Sequence, residues 1–142
     1  MFIKQIQKPW IISSAISIQH HSDVYKRQVS DKSADIYSLK TLRSMQGSHF
    51  HLPIYRMPVA TFIEEAKKSN LPILATTLSR ESKDYRELFS LENFVLVMGN
   101  EGQGISSVMS ESADQLVHIG MKGRAESLNV AVAAGILMFY FS

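Results

Sequence analysis

The feature that most constrains the fold is an uninterrupted apolar run, FVLVM at residues 94–98, followed at once by the glycine-rich stretch GNEGQG. A strand with one face in water alternates apolar and polar side chains, whereas a strand covered on both faces is apolar throughout. Glycines after such a strand allow positive φ angles and close approach of a ligand to the backbone. The pattern therefore predicts a buried strand that ends either in a ligand-binding loop or in a plain tight turn.

Strands and helices alternate along the rest of the chain. Turn residues and apolar patterning predict helices at about residues 38–46, 61–69 and 105–111, and a longer one from 128 to about 141 capped by Ser127. Short apolar segments predict strands at 50–55, 72–77 and 115–119, while residues 79–90 indicate a polar loop with one helical turn. This alternation indicates an α/β domain with a mostly parallel sheet and flanking helices.

Composition narrows the classes of function. A chain of 142 residues with 45% apolar and 20% charged residues suits one compact domain with a buried core. The net charge of +2 permits a nucleic-acid partner without requiring one. The absence of cysteine excludes disulfides and thiolate metal sites, and no apolar run reaches the roughly 18 residues that span a bilayer. We expect a cytoplasmic protein with no metal and no membrane partner.

A second loop follows the predicted strand at 115–119. Residues 119–129 have the sequence IGMKGRAESLN and lead into the last predicted helix. Taken alone, Ser127 is explained as an N-cap, and Asn129 as a solvent-facing residue of the first helical turn. Lys122 and Arg124 are equally compatible with phosphate contacts and with solvated loop charges. His118, on a predicted core strand, is interpreted as a buried or edge histidine whose ring is hydrogen-bonded.

Together, the two loops resemble motifs 2 and 3 of the SpoU (TrmH-like) RNA 2′-O-ribose methyltransferases of the SPOUT superfamily. The matching strings are LVMGNEGQGIS and IGMKGRAESLNVAVAAGIL, in the family's order and spacing over residues 94–142. A weaker resemblance extends back to about Ala34 through ADIYSLKTLRSMQGSHFHLPI. The resemblance implies a deep trefoil knot at 94–142, S-adenosylmethionine as cofactor, and methyl transfer to a ribose 2′-hydroxyl of rRNA or tRNA.

The resemblance also assigns roles to single positions. Glu101, Ser127 and Asn129 would lie beside the reacting centre. Backbone groups and apolar contacts of the strand ends and loops would hold the cofactor, at Thr76, Val97, Gly99, Asn100, Gly102, Ile119, Met121, Ser127 and Leu128. Arg43, Lys122 and Arg124 would contact RNA, although a helix-packing salt bridge suits Arg43 equally well.

The last predicted helix is apolar nearly all round its circumference. Such a helix must be covered on several sides. In a domain of this size a second subunit is a natural cover, and the resemblance likewise implies a homodimer, here formed through the C-terminal helix.

The chain departs from the family pattern at its N-terminus. Motif 1, an Asn-x-Gly segment followed by the Arg that activates the 2′-hydroxyl, has no counterpart, because residues 1–28 contain no glycine. Arg27 lacks that context and is not assigned the role. We predict an atypical, foreign or artefactual segment at 1–28, with a strand near 10–18, and an N-terminally incomplete methyltransferase domain at 29–142. The alternative function is a non-catalytic module that binds S-adenosylmethionine or RNA.

Overall fold

The computed structural model describes residues 20–21, 24–25, 27–30, 33, 35–45, 50, 54–89, 91, 93–99, 104–121 and 128–141. Its strands are β1 (His20–His21), β2 (Val24–Tyr25), β3 (Arg27–Val29), β4 (Ile54–Arg56), β5 (Ile73–Thr76), β6 (Lys83–Asp84), β7 (Val95–Val97) and β8 (Gln115–His118). Its helices are α1 (Leu39–Met45), α2 (Val59–Lys68), α3 (Ser107–Ser112) and α4 (Val130–Phe141), with a 3-10 turn at Tyr85–Glu87. The strand predicted near 10–18 lies outside the described residues.

The main sheet has four parallel strands in the order β6-β8-β5-β7. The central strand β5 pairs with β7, in a register that sets Ile73 opposite Val95, and with β8, in a register that sets Leu74 opposite Gln115. No residue of β7 is more than 1% exposed, and Ile73, Leu74 and Ala75 of β5 are fully buried. The prediction of an α/β fold with a parallel sheet and a doubly covered strand at 94–98 is confirmed.

Successive side chains of a strand point to opposite faces, and this alternation divides the core in two. On one face, Leu74 of β5 and Leu96 of β7 pack with residues of α4 such as Leu137. On the other face, the alternate residues of both strands pack with α2 and with Met109 of α3. The sheet is therefore a middle layer between α4 on one side and α2 with α3 on the other.

Helices α2 and α3, which share one face of the sheet, lie close to their predicted positions. α2 buries Phe62, Ile63 and Ala66, the apolar face expected from its pattern. It ends before Asn70, whose φ of 52° lies in the left-handed region that commonly terminates helices. α3 begins two residues later than predicted, because the Ser106 side chain accepts a hydrogen bond from the Met109 amide and caps the helix.

The start of α4 corrects the sequence interpretation. The helix begins at Val130, and the Asn129 carbonyl accepts a hydrogen bond from the Ala133 amide at 2.9 Å. Leu128 and Asn129 therefore precede the helix, and Asn129 is not inside the first turn. Asparagine favours the position before a helix because its short polar side chain can satisfy free amides there. Ser127, the predicted cap, lies outside the described residues.

Short strands also occur where none was predicted. β6 lies in the segment 79–90, which was predicted as a loop, and β3 pairs in parallel with β4 although residues 19–28 show no period. Strands of two or three residues are too short to display an alternation. β4 starts later than the strand predicted at 50–55. β3 runs across position 28, and the division of the chain at that position stays a prediction.

Within the described residues, every helix is too short or too polar to cross a bilayer.

A prediction for stability concerns the side of α4 that faces the 3-10 turn. The Tyr140 hydroxyl donates to the carbonyls of Arg86 and Leu88, at 3.1 and 3.3 Å. We expect Tyr140→Phe to lower the free energy of unfolding by about 1 kcal/mol, because the hydroxyl ties the end of the helix to this turn. Urea denaturation measures the change. Tyr37→Phe is the matched control, since Tyr37 is 72% exposed, and an equal loss in both variants would contradict the assignment.

Candidate functional site

The ends of three neighbouring strands meet at one edge of the main sheet. Because β5, β7 and β8 run in parallel, the chain leaves all three strands on the same side of the sheet. Their last residues are Thr76, Val97 and His118. Ligands of open α/β sheets bind outside the carboxyl ends of the strands. Here β8, β5 and β7 are neighbours in the sheet, so their carboxyl ends lie side by side. We call this side the carboxyl edge.

Gly99 opens the loop after β7 and is enclosed by backbone. Its amide donates to the Thr76 hydroxyl at 3.3 Å, which joins the ends of β7 and β5. A Cβ atom at Gly99 would lie 2.5 Å from the carbonyl carbon of Gly104 and 2.8 Å from the Ile105 nitrogen. Gly104 itself has a φ of 66°, a conformation that suits glycine. The loop folds back onto its own start, and only glycine fits at position 99.

The chain after β8 forms the other side of the carboxyl edge. Ile119 packs against the core cluster that contains α4, and Met121 is half-buried. Between them, the Gly120 amide donates to Oδ2 of Asp84 at 3.2 Å. Leu128, also half-buried, resumes the described chain just before α4. Partly exposed apolar side chains and the backbone of Gly120 thus form the surface on this side.

Asp84 and Arg86 form a fork-like pair next to Gly120. Nε and Nη2 of Arg86 donate to Oδ1 and Oδ2 of Asp84, at 2.7 and 2.8 Å, and the Arg86 amide donates to Oδ1 at 3.0 Å. The hydrogen bonds from the Arg86 side chain hold the pKa of Asp84 well below its usual range. The same bonds raise the pKa of Arg86. Both groups are charged at any physiological pH.

Sequence reasoning missed this pair. The segment 79–90 is mostly polar, and an Asp-x-Arg spacing has no specific meaning in a loop. The third partner, Gly120, lies 36 residues away, so no local pattern could disclose it. The interpretation of His118 is confirmed, because its Nδ1 lies 3.0 Å from the Ser82 hydroxyl.

The structure brings part of the predicted cofactor site together. Thr76, Gly99, Ile119 and Met121 lie at the carboxyl edge, whereas Val97 is fully buried and lies beneath it. The predicted site residues that lie outside the described residues are Asn100, Glu101, Gly102, Lys122, Arg124 and Ser127.

Two further predicted positions are exposed. Asn129 is exposed immediately before the first turn of α4. Arg43 is exposed in the last turn of α1, where the structure establishes neither an RNA contact nor a packing role. Among the described side chains, no three His, Cys, Asp or Glu residues are grouped to hold a metal ion.

Comparison with known proteins places these features in a family. The model described as the SpoU rRNA Methylase family matches residues 2–139. The 23S rRNA (guanosine(2553)-2′-O)-methyltransferase RlmP of Bacillus subtilis is 35% identical over 140 residues, 99% of this chain and 56% of that protein. The tRNA (guanosine(18)-2′-O)-methyltransferase of Aquifex aeolicus is 44% identical over 96 residues, 66% of this chain and 45% of that protein.

A solved structure has a similar fold. The AdoMet-bound rRNA methyltransferase of Sinorhizobium meliloti superposes with a TM-score of 0.74 at 36% identity, covering 80% of this chain and 44% of that one. This chain spans about half the length of the curated relatives it matches, 56% and 45% for the two above.

The enclosure of Gly99 leads to a prediction for the loop after β7. We expect Gly99→Ala to lower the free energy of unfolding by roughly 2 kcal/mol, because the methyl group meets backbone atoms that cannot rotate away. Gly135→Ala in α4 is the control. Its Cβ would meet nothing within 4 Å, and helix propensity predicts a gain of about 1 kcal/mol there. Urea denaturation of both variants measures the difference, and a neutral Gly99→Ala would show that the loop is not closed as described.

A second prediction concerns pH. Because the pKa of Asp84 is lowered in the folded state, its carboxylate adds stability at pH values above the unfolded-state pKa of about 4. That stability is lost progressively as the pH falls from there toward the folded-state pKa. We therefore expect Asp84→Asn to be less stable than the unchanged chain at pH 7, by a margin that shrinks steadily below about pH 4. Urea denaturation at pH 7, 4 and 3 tests the sign, and a margin that widens in acid would contradict it.

Proposed function

This chain belongs to the SpoU rRNA methylase family, and we propose that it is an S-adenosylmethionine-dependent methyltransferase that modifies a ribose 2′-hydroxyl of rRNA or tRNA. The observation that carries the proposal is the carboxyl edge, where Thr76, the Gly99 loop and residues 119–121 meet. The two sequence motifs typical of the family begin at these strand ends. Its homologues are RNA 2′-O-methyltransferases by name, which supports the same reaction class.

The residues of the carboxyl edge suit this cofactor. An adenosine group needs apolar surface for its base and backbone amides and carbonyls for its polar edges. Ile119, Met121 and Leu128 supply half-buried apolar side chains, and Gly99 permits backbone approach. Thr76 holds the Gly99 amide at the start of the loop, and we propose that Asn100 and Gly102, which follow in sequence, add further cofactor contacts. When bound, S-adenosylmethionine supplies an electrophilic methyl group.

Side chains near the start of α4 would activate and align the ribose 2′-hydroxyl. A ribose 2′-hydroxyl is a poor nucleophile and must lose its proton during attack, and it must be aligned with the methyl group. Asn129 is exposed at the N-terminus of α4, where free amides and the helix dipole favour oxygen atoms with negative charge. We place Asn129 beside the reacting oxygen together with Glu101 and Ser127. Val97 supports the site from beneath rather than by direct contact.

The finer features implied by the family resemblance belong to the same proposal. We propose a trefoil knot within residues 94–142, RNA contacts by Arg43, Lys122 and Arg124, action in the cytoplasm, and a homodimer formed through α4. Support for the dimer comes from the side of α4 that does not face the sheet. Val132 is 52% exposed and Phe139 is 82% exposed, and apolar side chains so exposed on one helix suit a partner surface.

The direct test combines binding and turnover. We expect the chain to bind S-adenosylmethionine in a calorimetric titration and to transfer a labelled methyl group to rRNA or tRNA. Nuclease digestion and mass spectrometry should identify a 2′-O-methyl nucleoside, and DNA of the same sequence should gain no label because it lacks the 2′-hydroxyl. Binding without transfer to either RNA would favour the non-catalytic module, and absence of binding would refute both readings.

Asn129 is the described residue that we expect to touch the reacting group. Asn129→Ala should lower kcat about a hundredfold with little change in cofactor affinity, the scale seen when one preorganised hydrogen-bond donor is removed from an active site. Lys67→Ala, at an exposed position of α2, is the control and should leave kcat unchanged. An unaltered kcat in Asn129→Ala would remove this residue from the proposed site.

A further inference from the structure

We infer that Asp84 is a positioning residue for cofactor binding: its carboxylate holds the Gly120 amide and thereby fixes Ile119 and Met121 at the carboxyl edge. The inference rests on the proposed function, since it gives Ile119 and Met121 their role as cofactor contacts. Asp84 belongs to neither of the two loops by which the family is identified in this sequence.

The geometry of β6 explains why a side chain is needed here. β6 has two residues, and its last register pair sets Asp84 opposite His118, the final residue of β8. Among the described residues, the pairing of β6 with β8 ends at that pair. Oδ2 of Asp84 instead accepts from the Gly120 amide at 3.2 Å, two residues further along. The Asp84 side chain thus continues the contact between β6 and β8 by two residues, into the loop after β8.

Arg86 fixes the orientation of that carboxylate. Its guanidinium engages both carboxylate oxygens in a fork, at 2.7 and 2.8 Å, so that the Asp84 side chain cannot rotate without losing two charge-assisted bonds. The exposed Arg86 side chain is in turn placed by an aromatic neighbour. Its guanidinium carbon lies 5.7 Å from the centre of the Tyr85 ring, and that ring packs edge-on against Tyr140 of α4 at 4.8 Å.

Gly120 is matched to this carboxylate. A Cβ atom at Gly120 would overlap Oδ2 of Asp84 and would lie 3.3 Å from Nη2 of Arg86. Its φ angle is not in the left-handed region, so the backbone itself does not require glycine at this position. Close approach of the Asp84 carboxylate is therefore the reason for a glycine here.

Asp114 provides a matched control on the opposite edge of the sheet. Its Oδ2 accepts from the Ile73 amide at 2.7 Å, and its own amide donates to the Ile73 carbonyl at 2.9 Å. Both aspartates therefore anchor a backbone amide of the same sheet. Asp114 does so where β5 begins, away from the strand ends that form the carboxyl edge. A general loss of stability should follow from either substitution, but a loss of cofactor affinity should follow only from a change at Asp84.

The experiment compares the whole chain with Asp84→Ala, Asp84→Asn and Asp114→Ala by calorimetric titration with S-adenosylmethionine and by urea denaturation. We expect Asp84→Ala to weaken binding about tenfold, the change that corresponds to one lost hydrogen bond to a charged group. Asp84→Asn retains an acceptor for the Gly120 amide and should bind within about threefold of the unchanged chain. Asp114→Ala should lose stability and keep its affinity.

Gly120→Ala tests the same contact from the other side. Alone, Gly120→Ala should weaken binding, a result that can be measured even if Asp84→Ala fails to fold. In combination with Asp84→Ala the added methyl should cost far less, because its clash is gone. Equal affinity of Asp84→Ala and the unchanged chain, equal weakening in Asp114→Ala, or strictly additive losses in the double variant would overturn this inference alone. Absence of binding by the unchanged chain would overturn the proposed function and this inference with it.

Discussion

The parallel pairing of β5 with β7 on one side and β8 on the other is the contact on which the rest of the structure depends. It pairs both hydrogen-bonding sides of the central strand, and with helices on both faces Ile73, Leu74 and Ala75 are withdrawn from solvent. The alternation of side chains then obliges α4 to pack on one face and α2 with α3 on the other. The same pairing brings the ends of three strands, widely separated in sequence, to one edge.

The amino ends and the carboxyl ends of the strands differ in the contacts that the chain makes there. At the start of β5, Asp114 bonds to Ile73 in both directions and simply closes the ladder. At the carboxyl edge, glycines stand where another group comes too close for a side chain: Gly104 backbone beside Gly99, and a carboxylate beside Gly120. Such contacts fix Gly99 and Gly120, the residues that follow the ends of β7 and β8, where the proposed cofactor would meet backbone groups.

α4 connects the core to this edge. Its inner face fills one of the two apolar clusters, with Phe141 against Phe94 at 5.6 Å between ring centres. Its end is bonded through Tyr140 to the turn that follows Asp84, and its start carries Asn129. The apolar residues of α4 therefore fall into a buried set and an exposed set. One face builds the core, and the exposed residues Val132 and Phe139 remain for the proposed second subunit.

The sequence by itself determined the elements whose reasons are local or periodic. An unbroken apolar run required the buried β7, the apolar face of α2 was readable up to Asn70, and the spacing of two glycine loops was specific enough to indicate the family. Tertiary structure alone decided the contacts between distant segments. The bond from Gly99 to Thr76 spans 23 residues and that from Gly120 to Asp84 spans 36, and such pairs leave no period in the sequence. The short strands β3 and β6 likewise depend on a partner strand for their existence, because two or three residues have too few local interactions to define a strand alone.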